Sequence, residues 1–145
     1  MFVVLFTALT MFLSEVKADC INTDGVILRS KSGLNAPVTW RVRKYLPVIP
    51  VGKKSYNGWV KIKDMDGDVH WVKQKHITKE YNCVAVKIDG APIKMDPFMD
   101  SPNKYNEPTK KYDTFKFLGA TKGWINVEDI YGDTGWIQYE NVFTD

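Results

Sequence analysis

The stretch Gly58–Val72, GWVKIKDMDGDVHWV, decides how this chain is read, because it returns sixty-five residues later as Gly123–Ile137, GWINVEDIYGDTGWI. Each copy carries two tryptophans twelve residues apart, Trp59 and Trp71 then Trp124 and Trp136, with a glycine four residues before the second, Gly67 then Gly132. Such self-similarity marks repeated structural units. In the first copy Val60 and Ile62 alternate with Lys61 and Lys63, and Val69, Trp71 and Val72 follow Asp66-Gly67. Alternation marks a half-buried strand, and Asp-Gly suits a turn that needs positive φ. A β-hairpin with a two-residue turn at Asp66-Gly67 is therefore expected. The repeat extends outward: Tyr45 lies seven residues before Gly52 and Tyr112 seven before Gly119, while the first copy has two more residues between Gly52 and Trp59. A surface loop absorbs that difference at small entropic cost. The copies share turn, aromatic and apolar positions, not a catalytic set.

The chain has 145 residues, and the repeat divides its later part into two units of roughly sixty. Units of that size bury only about 60% of their unfolded surface, so they are expected to pack together or to be stapled. Short alternating runs, frequent glycine and proline and the absence of helical periodicity point to an all-β chain. Residues 1–18, MFVVLFTALTMFLSEVKA, read as a secretory signal: Phe2 to Leu13 is apolar but too short for the roughly 20 residues of a membrane span, and Val16-Lys17-Ala18 offers a cleavage site. No Lys or Arg precedes the apolar run, which departs from the usual signal. A periplasmic or secreted protein is expected, with no stable membrane insertion after cleavage.

Cys20 and Cys83 fit export. Each stands just ahead of a repeat, and a disulfide between them would tie the start of the first unit to its end; the alternative is two unrelated thiols. Two cysteines are too few ligands for a metal site, and neither metal nor cofactor is expected. From residue 19 to 81 the chain carries twelve basic and six acidic residues, and from 82 to 145 seven and ten. Either the two surfaces are simply solvated, or attract each other, or the basic first unit meets an anionic envelope polymer. Export and the acidic second unit argue against nucleic acid.

Along the first unit, strands are expected at Gly25–Arg29, Pro37–Val42 and Tyr45–Val51, the last confined by Pro47 and Pro50 to an edge or a bulge. Asn57-Gly58 is another hairpin signal, and Gln74–Ile77 reads as a short helical turn and closing strand. The second unit repeats the order, with a long loop from Asp96 to Lys111 that bears the exposed-looking aromatics Phe98 and Tyr105. A loop of that length is either functional or loosely ordered.

The first unit, with LRSKSG (Leu28–Gly33), PVTWRV (Pro37–Val42), YLPVIPV (Tyr45–Val51), NGWVKIKDMDG (Asn57–Gly67) and HWV (His70–Val72), resembles the bacterial SH3-like domain family. The second unit resembles it mainly from Tyr112 to Phe143. The resemblance implies two tandem small SH3-like β-barrels, at 19–81 and a more divergent 82–145. It also implies a non-enzymatic envelope module that contacts peptidoglycan or a peptide. The alternative is a scaffold that holds another envelope protein without binding glycan. Two departures bear on the binding surface: Ser32-Gly33-Leu34 lacks the family's Gly-Pro, and His70 stands where the family has the glycine that Gly135 keeps.

Asp64, Asp66 and Asp68 imitate the start of a calcium loop, but the twelfth position is Lys75 rather than glutamate, so a solvated turn is the better reading. His70 and His76 are the only histidines, and general-base work by His70 beside the aspartates lacks a nucleophile. The aromatic residues are the stronger candidates: Tyr45, Trp59 and Trp71 in the first unit and Tyr112, Trp124 and Trp136 in the second are the expected ligand-binding positions. Alternation puts Trp59 with Lys61 and Lys63 on the face opposite Val60 and Ile62. Either a loop covers that face and the tryptophans are structural, or it is an open aromatic platform suited to a carboxylate-bearing sugar or peptide.

Overall fold

The computed structural model describes residues 18–52 and 56–144. The expected secretory signal, apart from Ala18, lies outside the described residues. The chain is all-β. Among the described residues thirteen strands run as β1 (Asp19–Ile21), β2 (Val26–Arg29), β3 (Val38–Val42), β4 (Pro47–Pro50), β5 (Trp59–Lys63), β6 (Val69–Lys73), β7 (Ile77–Thr78), β8 (Cys83–Val86), β9 (Ile93–Lys94), β10 (Thr114–Thr121), β11 (Trp124–Glu128), β12 (Thr134–Gln138) and β13 (Val142–Phe143). One-turn 3-10 helices at Gln74–His76 and Tyr139–Asn141 precede β7 and β13.

The strands form two sheets, ordered β3-β2-β6-β5-β4-β1-β7 and β9-β12-β11-β10-β8-β13. The second order reproduces the first without a counterpart of β3. The long loop takes that place: Asn103 bridges Lys94 as Val38 pairs with Arg29. Apolar positions fill two cores. Val26, Leu28, Val42, Val48, Ile62 and Val72 close the first, and Val84, Val86, Ile125, Val127 and Ile137 the second.

Local sequence explains the turns. Asn57 and Gly58 take positive φ, 49° and 79°, and Tyr56 and Trp59 exchange backbone hydrogen bonds, as in a two-residue type I′ hairpin. Lys122 and Gly123 do the same in the second unit, with φ of 47° and 84°. The Asp66-Gly67 expectation needs correcting. Only Gly67 is left-handed (φ 85°), and its N–H donates to Asp64 while the Asp64 N–H donates to Asp68. This is a type I turn followed by a glycine bulge, which needs one positive φ rather than two. β4 is also not an edge strand. It pairs through Pro47 and Val48 with β1 and through Ile49 and Pro50 with β5, so each proline is paired on one side only, which a residue without an N–H tolerates.

The units pack on one another. Ala85 of β8 lies in the first core, and the Thr114 hydroxyl donates to the Lys44 carbonyl at 2.6 Å. The Cys20–Cys83 disulfide, with Cα atoms 6.0 Å apart, joins β1 to β8. It therefore clamps the first strand of one unit to the first strand of the other, rather than closing the first unit on itself. The tyrosines preceding β4 and β10 cross this junction in both directions. Tyr112 and Met65 both pack against the first core, and Tyr45 packs on the disulfide as does Ile130, the residue of the second unit equivalent to Met65. Both tyrosines have left-handed backbones, φ 73° and 72°, which turn their side chains off the strand line toward the neighbouring unit.

Candidate functional site

The outer face of β2, β6 and β5 follows from register. Trp71 lies opposite Lys61 on β5 and Arg29 on β2, and two pairs along, on the same face, Trp59 lies opposite Lys73. Trp71 is half-buried while Trp59 is only 8% exposed. The register thus sends Trp71, Lys61, Lys73 and Arg29 to one surface, into which Trp59 sinks. Beside Trp59 a cleft of about 210 Å³ is lined by Ile27, Arg29, Leu34, Lys73 and His76. Leu34 is 64% exposed at its rim, and Arg29 fixes the loop that carries it by donating from Nη1 to the Ala36 carbonyl at 2.7 Å.

The cleft carries two cations, Arg29 and Lys73, against one carboxylate, Asp24. Lys61 and Lys73 make no ion pair among the described residues. His76 is held below the usual histidine range, first by burial and then by the charges of Lys75 and Lys73. An aromatic plane with flanking cations and a small apolar floor stacks a planar or sugar face and pairs carboxylates. The equivalent face of the second unit is weaker. Trp136 is flanked by Asn126 and Lys94, and Gln138 stands opposite Trp124 where Lys73 stands opposite Trp59.

The other expected positions do not join this face. Tyr45 is 7% exposed and meets Tyr81 edge-on at 5.6 Å beside the disulfide. Trp124 is 8% exposed. Tyr112 meets Trp40 edge-on at 4.7 Å and donates its hydroxyl to Asp66, which Lys111 Nζ also reaches at 3.2 Å. These two partners hold the Asp66 carboxyl below its ordinary range, Tyr112 first. Burial, then the bond to Asp66, pushes the Tyr112 hydroxyl above the usual tyrosine range. Six aromatic residues at repeated positions therefore serve three purposes: Trp71 and Trp136 lie on outer faces, Trp59 and Trp124 are packed, and Tyr45 and Tyr112 bind the units together.

The acidic turn is a structural device. Asp64 is 3% exposed; its Oδ1 accepts from the Asp66 and Asp68 amides and its Oδ2 lies 2.9 Å from His70 Nε2. His70 Nδ1 meets the Thr39 hydroxyl at 2.8 Å. Asp129 braces the second turn in the same way, accepting from the Tyr131 and Asp133 amides, and the Tyr105 hydroxyl takes the role of His70 at 2.7 Å. Since the second unit keeps this brace without a histidine, bracing rather than proton transfer accounts for His70. Tyr105 is accordingly half-buried, not an exposed loop aromatic. The loop that carries it is ordered: Thr109 donates to the Ala91 carbonyl, and the Lys111 amide donates to Asp89. Sequence reading missed Leu34, Lys73 and His76 because they line the cleft from three separate segments.

The model of the bacterial SH3 domain family matches residues 22–79. No curated protein matches the chain. Among solved structures, one described as that of NlpC1 from Trichomonas vaginalis is similar at 11% identity and a TM-score of 0.38, over 89% of this chain and 46% of that one. The chain thus spans less than half the length of that protein. No helix among the described residues is long and apolar enough to cross a membrane.

Proposed function

Because residues 22–79 are a bacterial SH3 domain, we propose that the chain is a binding module whose first unit holds a carboxylate-bearing peptide or glycan of the cell envelope on the face around Trp71. One observation carries this reading: Trp71 lies between Lys61 and Arg29 in the cross-strand register, beside the cleft floored by Trp59 and flanked by Lys73 and His76. Peptidoglycan supplies both sugar faces and carboxylates. The reading takes residues 19–81 and 82–145 as two copies of one domain, supported by the shared strand order, with the second lacking two of the first face's cations. The disulfide favours an oxidising compartment, periplasmic or extracellular. No cofactor is needed for such binding.

The test is co-sedimentation of the purified chain with isolated peptidoglycan. Wild-type protein is expected in the pellet, with Trp71→Ala and Lys61→Ala each weakening retention by about tenfold, the worth of one stacking or charge-assisted contact. Protein that stays in the supernatant would sink the wall-binding reading and favour the scaffold, which predicts capture of an envelope protein instead.

A further inference from the structure

The two units present the same notch at their acidic turns, and only one is filled. In the first unit the notch lies between Trp40 and the Asp64–Asp68 turn, and Tyr112 occupies it. The register identifies the residues of the second notch. Asn103 stands opposite Lys94 as Val38 stands opposite Arg29, so Tyr105 corresponds to Trp40, and the sixty-five-residue offset makes Tyr131 the counterpart of Asp66. Tyr105 and Tyr131 line an open cleft of about 360 Å³, together with Phe115, Glu107 and, from the first unit, Arg43. That volume falls within the range of about 300–1,000 Å³ usual for ligand sites. The residue that symmetry would send there, Tyr45, stops short, buried against the disulfide, Tyr81 and Ile130, and Ile130 forms part of the cleft wall.

We propose that this cleft between the units is a second binding site, distinct from the Trp71 face, and that it takes a tyrosine side chain of a peptide in the manner of Tyr112 in the first notch. Tyr105 offers the ring that Trp40 offers Tyr112. Tyr131 is 84% exposed and free to cover the guest. Glu107, which has no hydrogen-bond or ion-pair partner among the described residues, replaces Asp66 as acceptor for a phenol hydroxyl. Arg43 supplies a cation over the ring, while Asp113 and Asp129, which also line the cleft, already accept from the Lys110 amide and the Tyr105 hydroxyl. The first notch does not compete for such a guest, since its tethered Tyr112 acts at high effective concentration.

The probe is acetyl-Lys-Tyr-Asp-amide, the sequence of Lys111–Asp113, with acetyl-Lys-Ala-Asp-amide as control, titrated into the isotope-labelled full chain and followed by backbone amide shifts. The tyrosine peptide is expected to move the amides of Tyr131, Gly132 and Asp133 saturably while the alanine peptide does not. Tyr131→Ala, at an exposed position that does not threaten the fold, is expected to weaken the response about tenfold, and Trp71→Ala to leave it unchanged. Equal shifts with both peptides, shifts confined to the Asp64–Asp68 turn, or no saturable shift would overturn the proposal. Loss of the response in Trp71→Ala would overturn its separateness from the first face.

Discussion

Tyr105 donates its hydroxyl to Asp129 Oδ2 at 2.7 Å, at the point of the second unit where His70 meets Asp64 in the first. Two chemically different side chains thus complete the same turn. Tyr105→Phe removes this bond and leaves the carboxylate with its amide partners only, which is expected to lower stability by roughly 1–3 kcal/mol. The hydroxyl is held above the usual tyrosine range, by burial first and the Asp129 bond second. A raised folded value means that the contribution is complete below the ordinary tyrosine pKa of about 10 and is lost as pH rises through the folded value. Thermal melts at neutral and alkaline pH should show the gap between wild type and variant closing on the alkaline side. A constant gap would show that ionisation of the hydroxyl is not coupled to folding.

Asp66 gives the opposite dependence. Its carboxyl is depressed by the Tyr112 hydroxyl and then by Lys111, so its contribution is present above the ordinary carboxylate pKa of about 4 and lost as pH falls through the lower folded value. Asp66→Asn should melt below wild type at neutral pH and coincide with it in strong acid. Salt should narrow the neutral-pH gap, since the Lys111 pair is exposed.

Reducing the disulfide should cost about 4 kcal/mol on the chain-entropy account, given a separation of 63 residues. Because the bond joins β1 to β8, the loss is expected to loosen the junction before either core. Hydrogen exchange after reduction should rise first at Cys20, Tyr45 and Cys83. Uniform acceleration would indicate one cooperative unit instead.

His76 links ligand to proton. Its pKa is lowered by burial and by Lys75 and Lys73, and a carboxylate placed in the cleft beside it offsets those charges. Binding an anion is therefore expected to take up protons and to tighten as pH falls below about 6.5, until the ligand itself protonates. His76→Gln should abolish the pH dependence of retention on peptidoglycan over that interval while leaving binding at pH 8 unchanged. A dependence that survives the substitution would place the titrating group elsewhere.

The hairpins, the closing 3-10 turn and the disulfide partners were legible in the sequence, since each follows from periodicity, turn chemistry or cysteine count over a few residues. Other features answer to contacts between distant segments. That Trp59 sinks beneath Leu34 and Lys73 while Trp71 stays on the surface depends on how the loop before β3 folds back. Gly135 reads as a family residue, yet a Cβ there would lie 2.7 Å from Ile93 Cγ2, so the second unit has no room for the counterpart of His70 and takes its brace from a loop thirty residues earlier. Tyr45 and Tyr112 look alike as repeated positions. One is enclosed by the disulfide and the other docks on Trp40, because the packing of unit on unit, which no local pattern encodes, determines what each left-handed tyrosine meets.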